Sequence, residues 1–329
     1  MKMRILSLNK KISKKYYVRK SLHLAFPLLR MIFVSKKRIS LFNNKKEWFR
    51  IMGDKTNMTE TQITLINLGI VLFSIILGYF LGSIPNALWI GKLFFKKDPR
   101  DYGSNNLGAT NAGRLFGKKI GFLCVVLDMC KIILPVWAMW VVLTFTPLST
   151  SGIIWSEPLR NSIGLAHYTN FFKNAEYFQF YYFVGLGSVI GHCFPIFAKF
   201  RGGKGFSCFI GLLFGVSWAI GLFTGLIYFI ILKWKRYVSL ASIACAIIGA
   251  LLSFLAFIPE VSNIVFYGPT MVGGIELSIV LVILATFVVV RHRENIARLR
   301  NGNERKIKWM DSRKEKEARR LTEMKEILK

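Results

Sequence analysis

Residues 206–232 read FSCFIGLLFGVSWAIGLFTGLIYFIIL, 27 residues without a charged side chain. One helix of that length is enough to cross a bilayer, since roughly 30 Å of hydrocarbon needs about 20 residues. The flanks argue against one crossing. Lys199, Arg201 and Lys204 precede the stretch, and Lys233, Lys235 and Arg236 follow it. Basic residues beside apolar spans mark the cytoplasmic side, so both ends belong on one face and the chain must enter and return. A pair of short helices meets that requirement, as does a re-entrant hairpin whose backbone is shielded by protein. Gly221 and Gly225, near the middle, are the expected breakpoints.

Outward from this stretch, further apolar runs cover residues 64–90, 120–145, 178–197, 238–258 and 275–290. With the hairpin counted as two, the expectation is an all-α polytopic membrane protein of about seven transmembrane helices, two of them short. Charge sets the sides. Residues 92–119 hold seven Lys/Arg, whereas 146–177 and 259–275 hold only Arg160 and Lys173. The charged set is expected inside the cell, which puts the start of the first span outside.

The net charge of +29 is concentrated at the ends. Residues 1–55 hold 16 Lys/Arg against Glu47 and Asp54, and residues 291–329 hold 14 Lys/Arg against seven acids. Such segments beside apolar spans fit anionic lipid headgroups, so membrane lipid is an expected partner and nucleic acid is not. Three parts follow: a basic extension over 1–60, a membrane domain over 61–297, and a basic cytoplasmic tail over 298–329. The extension is expected to be disordered, interfacial or untranslated, because Met58 immediately precedes the first span and residues 23–34 are too short to cross. No small-residue cleavage site follows that short run, so it is not a secretory signal. The five cysteines contain no CxxC pair and read as small buried apolar residues, with no metal site.

Polar groups crowd the inner face in four clusters. YGSNNLGATNAGR (102–114) is rich in small residues whose backbone N–H groups can converge on an anion. Ser104 and Thr110 add hydroxyls, and Arg114 adds a planar fork for phosphate oxygens. GHCFP (191–195) leads into FRGGKG (200–205), where Gly202, Gly203 and Gly205 permit a tight turn and Lys204 supplies a compact charge. A helix starting near Phe206 would direct its N-terminal N–H groups at a phosphate. RYVSLAS (236–242) puts Ser239 and Ser242 on one helix face. RHRENIARL (291–299) puts His292 and Asn295 on another. Asp128 and Lys131, three apart inside a span, read as a structural ion pair, because isolated charges there are expensive. His192 reads as an anchor for the glycine turn rather than a base. His23 and His167 have no companions that suggest metal ligands, and no histidine is followed by an HxxxxD pattern.

Together with GSIP (82–85), these motifs resemble the acyl-phosphate:glycerol-3-phosphate acyltransferases of bacterial membranes, the PlsY family, from about residue 78 to 304. The resemblance implies transfer of a fatty acyl group from an acyl phosphate to the 1-hydroxyl of glycerol 3-phosphate. The products are lysophosphatidic acid and phosphate, and no cofactor, coenzyme A or acyl carrier protein takes part. It implies substrate-binding roles for Ser104, Thr110, Arg114, Gly202, Gly203, Gly205 and Ser239, with Ser242 the alternative to Ser239. It implies catalytic roles for Lys204, His292 and Asn295. The enzyme that makes the acyl phosphate is a candidate partner. Two departures stand out: Asn105 replaces a glycine in the family's GSGN, and Phe206, Ser207 and Cys208 follow GGKG where small residues and Thr are usual. An acyl phosphate already carries a good leaving group, so direct attack without an acyl-enzyme is expected, with the substrate phosphate preferred over His292 as proton acceptor. A transporter of an anionic solute is the alternative, although polar groups at one surface fit it less well than a mid-membrane site would.

Overall fold

The computed structural model describes residues 59–145, 180–257 and 275–307, together with Met324. The extension 1–58, the charge-poor loop 146–177, all but the last residue of 259–275, and nearly all of the tail beyond 307 lie outside the described residues. The chain divides into two compact units. One comprises Met1–Leu68, Val141–Phe178 and Tyr267–Val272. The other comprises Gly69–Trp140, Gln179–Phe266 and Gly273–Lys329 and contains every candidate site residue.

The described part of the first unit opens with a reciprocal helix cap. Thr59 N–H donates to Gln62 Oε1 at 2.9 Å, and Gln62 N–H donates to Thr59 Oγ1 at 3.3 Å. Two otherwise unpaired donors are satisfied this way, and α1 (Glu60–Gly82) begins there.

In the second unit α1 ends at Gly82, and α2 (Asn86–Phe95) restarts after Pro85. The expected single run over 64–90 is therefore two helices. Proline lacks an N–H and cannot continue the hydrogen-bond ladder; the carbonyl of Ile84 just before it accepts from Asn86 N–H at 3.2 Å and from Lys131 Nζ at 2.9 Å. Then come α3 (Ala109–Phe116), α4 (Lys118–Phe145), α5 (Tyr181–Cys193), α6 (Phe206–Val216), α7 (Trp218–Lys235), α8 (Val238–Leu252), α9 (Ile275–Arg291) and α10 (Arg293–Arg300). Among the described residues, Thr61–Phe95, Lys118–Leu143, Tyr181–Ala198, Trp218–Lys235 and Val238–Leu255 are long and apolar enough to cross a membrane, and Phe206–Val216 is a shorter apolar helix. The all-helical membrane class expected from the sequence is the class observed.

The 206–232 stretch does fold as a hairpin, but it breaks at Ser217 rather than at the glycines. Ser217 Oγ accepts from Ile220 N–H at 3.2 Å and so caps α7. A hydroxyl that replaces the missing backbone partner makes a break tolerable in an apolar setting. The two arms are unequal, 11 and 18 residues. Gly221 has another use: a Cβ there would lie 2.7 Å from Phe214 Cγ, so its bareness lets the arms close on each other.

Helix α5 is the most enclosed span and packs against α6 and α9. It meets α1 through two small-residue stripes. A Cβ on Gly78 or Gly82 would lie 2.1 or 2.0 Å from the carbonyl oxygens of Val184 or Ser188. A Cβ on Gly187 or Gly191 would lie 2.1 Å from those of Ile75 or Tyr79. Both stripes have GxxxG spacing, which lets membrane helices approach to backbone contact. Gly82→Val is therefore expected to lower the melting temperature in detergent by at least about 5 °C, because neither backbone can yield. Gly225→Ala, with open space around it, should melt no lower than the parent.

Candidate active site

The first loop is held by a residue that the sequence reading did not single out. Asn111, 2% exposed, places its amide nitrogen 2.7, 3.0 and 3.0 Å from the carbonyl oxygens of Pro99, Tyr102 and Asn106. Its Oδ1 accepts from Ser104 N–H at 3.0 Å. The loop therefore folds around one buried amide, which takes up backbone groups that no helix satisfies. Asn105 adopts φ +51°, the left-handed geometry that asparagine tolerates better than most residues, so the loop accommodates the loss of the family's glycine. Ser104 and Thr110 are exposed on the loop and on the first turn of α3.

A partly buried ion pair ties this loop to the glycine turn. Arg100 bonds Asp98 through Nε and Nη2, at 3.0 and 2.6 Å, and its Nη1 donates to the carbonyl of Ala198 at 2.9 Å. The guanidinium bonds outweigh partial burial and hold the Asp98 carboxyl below its usual range. Leu107 packs with Leu88 and Ala198 beneath.

In the glycine turn, Gly205 caps α6 at φ +88°. Gly203 N–H donates to the carbonyl of His192 at 3.0 Å, and a Cβ on Gly203 would lie 1.9 Å from His192 Nε2. A Cβ on Gly202 would lie 2.2 Å from the same carbonyl oxygen. His192 is the anchor expected from the sequence. Helix α6 starts at Phe206, so its first N–H groups face the turn.

The remaining residues meet at the ends of α8 and α9. Lys204 Nζ donates to Asn295 Oδ1. Asn295 Nδ2 donates to Glu304 Oε1 at 2.7 Å, Ser239 Oγ donates to the same oxygen at 2.9 Å, and Arg298 Nε donates to Glu304 Oε2 at 2.7 Å. Ser242 instead bonds Tyr228, so of the two serines only Ser239 enters this network. Arg114 lies within electrostatic reach of Glu304, Arg298 and Arg305. Lys204 and Asn295 thus join one hydrogen-bonded network with Glu304, and Arg114 lies within electrostatic reach of that carboxylate.

Glu304 gave no signal in the sequence beyond being an acid in a basic tail. It is a hub because the chain turns back after α10: Ile307 is buried against Leu232 and Ala241, and its N–H donates to the carbonyl of Arg236 at 3.0 Å. The boundary expected at 298 falls inside α10.

Burial pulls the Lys204 ammonium below its usual range, aided by the nearby Arg298 cation. Burial does the same to Arg114, with Arg305 adding to it. Burial would raise the Glu304 carboxyl, but the bonds from Arg298, Asn295 and Ser239 outweigh it and hold the group low. An anion placed among these cations would lower the cost of their charge. His292 is 4% exposed. Burial lowers its ring to about 4, opposed by the bond to Val288 and reinforced by Lys204. The ring is neutral at pH 7. Nδ1 lies 2.8 Å from the carbonyl of Val288 and must donate to it, which leaves Nε2 an acceptor. The sequence offered no carboxylate to orient this ring; a backbone carbonyl does so.

An all-helical membrane bundle with a glycine-lined, cation-rich rim is the layout of a membrane protein that handles phosphate-bearing molecules. The glycerol-3-phosphate acyltransferase family model matches residues 72–302. Glycerol-3-phosphate acyltransferases of Staphylococcus aureus strains bovine RF122 / ET3-1 and JH9 are 35% and 34% identical over 247 residues, covering 73% of this chain and 99% of their own. Crystal structures of PlsY (YgiH), an integral membrane glycerol 3-phosphate acyltransferase, in its glycerol 3-phosphate and lysophosphatidic acid forms, match with TM-scores of 0.53 and 0.52. Their identities are 33% and 32%, covering 72% of this chain and 95% of that one. This chain belongs to the glycerol-3-phosphate acyltransferase family, the membrane acyltransferases of phospholipid synthesis. That sets the transporter alternative aside.

Asn105→Gly is expected to leave kcat/KM within about twofold, and Asn105→Val to lower it about tenfold, because left-handed geometry costs an ordinary side chain ~1–2 kcal/mol. Glu304→Gln should lower kcat/KM at least about tenfold, since charge-assisted bonds are worth ~1.5–3 kcal/mol. Glu304's carboxyl is depressed, so its stabilisation is present above the ordinary carboxyl range of about 4 and is lost only as pH falls through its lower folded value. Thermal melts across pH 3–7, parent against Glu304→Gln, should therefore converge at the acid end.

Proposed function

We propose that this protein transfers a fatty acyl group from an acyl phosphate to the 1-hydroxyl of glycerol 3-phosphate, releasing lysophosphatidic acid and inorganic phosphate. The observation that carries the reading is the ring of Lys204, Arg114 and Arg298 around the Asn295–Glu304–Ser239 network. That ring meets the N-terminus of α6 at the glycine turn. Two carboxylates, Glu304 and Glu294, among Lys204, Arg114, Arg298 and Arg305 leave a surplus of positive charge, which suits two phosphate-bearing molecules held together.

The hydroxyl oxygen attacks the acyl carbon, the bond from that carbon to the phosphate oxygen breaks, and the hydroxyl proton passes to an oxygen of the departing phosphate. Lys204, Arg114 and the α6 N–H groups offset repulsion between the two heads, so catalysis rests on positioning and electrostatics. His292, with Nδ1 committed to Val288, accepts the hydroxyl at Nε2 and orients it. A ring near 4 is a weak base, which favours the phosphate as proton acceptor. Ser104, Thr110 and Ser239 contribute hydroxyl contacts, and Gly202, Gly203 and Gly205 bring backbone close to phosphate. The site faces the cytoplasm by the distribution of Lys and Arg. The membrane domain begins near residue 61 and extends through the returning segment to Ile307.

Purified protein in detergent, given palmitoyl phosphate and labelled glycerol 3-phosphate, is expected to form labelled lysophosphatidic acid. Palmitoyl-coenzyme A in the same assay should give none; equal rates with both donors would overturn the donor assignment. His292→Gln is expected to lower kcat about ten- to a hundredfold, the range for an orienting contact made in the transition state. Because the ring gains its proton only as pH falls through about 4, kcat/KM should show no His292-dependent change between pH 6 and 8.

A further inference from the structure

Beneath the glycine turn lies a buried polar cluster that the proposed chemistry does not use. Asp128 is 3% exposed and His192 6%. Asp128 Oδ1 accepts from Asn86 Nδ2 at 2.9 Å and lies 3.1 Å from Lys131 Nζ. Its Oδ2 accepts from Ser207 Oγ at 3.1 Å. Lys131 Nζ also lies 3.0 Å from His192 Nδ1 and donates to the carbonyl of Ile84 at 2.9 Å. One carboxylate–ammonium pair on α4 thereby joins α2, α5, α6 and the break after α1.

The cluster reaches the turn through His192. His192 Nδ1 lies 3.0 Å from Lys131 Nζ and 3.6 Å from Asp128 Oδ1, so both members of the pair face that ring nitrogen. The ring edge bearing Nε2 is what Gly203 packs against, and the His192 carbonyl receives the Gly203 N–H. On the other side Arg291 Nη2 donates to the Gly203 carbonyl at 3.2 Å. The peptide groups on both sides of Gly203 are therefore fixed, and Lys204 is the next residue. The pocket lined in part by Asp128, Lys131, His192 and Gly203 is about 10 Å³, at most the room for one water.

We infer that Asp128 and Lys131, acting through His192, are positioning residues for the Gly202–Gly205 turn and set affinity for glycerol 3-phosphate without touching it. The inference rests on the reading that this turn holds a substrate phosphate. A merely structural ion pair makes a different prediction, because removing both charges of a buried pair is often neutral or stabilising.

The test uses the full chain in detergent, assayed with palmitoyl phosphate and labelled glycerol 3-phosphate, with a thermal melt for each variant. Asp128→Asn should raise KM for glycerol 3-phosphate about tenfold, with kcat and KM for palmitoyl phosphate changed less than about threefold. The double variant Asp128→Asn with Lys131→Met removes both charges; its melting temperature should return close to the parent value while KM stays raised. Asn86→Ala removes one of the two donors to Asp128 Oδ1 and should raise the same KM about two- to threefold; it decides the matter if the Asp128 variants fail to fold. Parent KM for glycerol 3-phosphate in the folded double variant, or in Asn86→Ala, overturns the inference, as does an equal rise in both KM values. Absence of product from the parent protein with either donor would instead defeat the functional reading itself.

Discussion

Like charges brought together at a membrane surface repel, and this fold concentrates several. Lys204, Arg114, Arg298 and Arg305 come from four separate segments to one rim. The Glu304 carboxylate makes that gathering tolerable. It takes bonds from Ser239 on α8 and from Asn295 and Arg298 on α10, and through Asn295 it reaches Lys204. A carboxylate that accepts three donors is held ionised and fixed in direction. The arrangement leaves the rim positive overall yet ordered, as the proposed reaction between two phosphate-bearing molecules would need.

Beneath the rim, the bundle reaches the necessary closeness by omission of side chains. The α1–α5 contact depends on Gly78, Gly82, Gly187 and Gly191, where carbonyl oxygens occupy the space a Cβ would need. Within hydrocarbon there is little hydrophobic drive between helices, so close backbone packing and satisfied polar groups carry the association. The second requirement explains Ser217, whose hydroxyl caps the returning arm of the hairpin. It also explains Lys131, which donates to the carbonyl of Ile84 at the break between α1 and α2. The same bundle positions α5 so that His192 lies against Gly203, linking helix packing to loop geometry.

Much of this was readable from residue patterns because apolar length and charge asymmetry act over many residues at once. The even number of crossings over 206–232 followed from cations at both ends, and the Asp128–Lys131 pair from the cost of isolated charge. Lys204, Asn295 and Ser239 were marked by their place at span ends. The breakpoint was missed because Gly221 and Gly225 look like hinges, whereas the actual hinge works through a hydroxyl bond that any serine in an apolar run could form. Asn111 was missed because its partners are backbone groups up to 12 residues away. Glu304 was missed because its importance comes from a reversal of the chain, in which Ile307 is buried beside Leu232 and Ala241 and bonds the Arg236 carbonyl, contacts that residue patterns do not announce.

That reversal has a practical bearing on how the protein can be shortened or fused. The docking of Ile307 beside Leu232 and Ala241 carries the packed body past the last apolar helix. A truncation placed after Val290, where hydropathy alone would put it, would also remove His292, Asn295 and the acid that holds the rim together. A reporter domain or affinity handle inserted before Ile307 would open that latch.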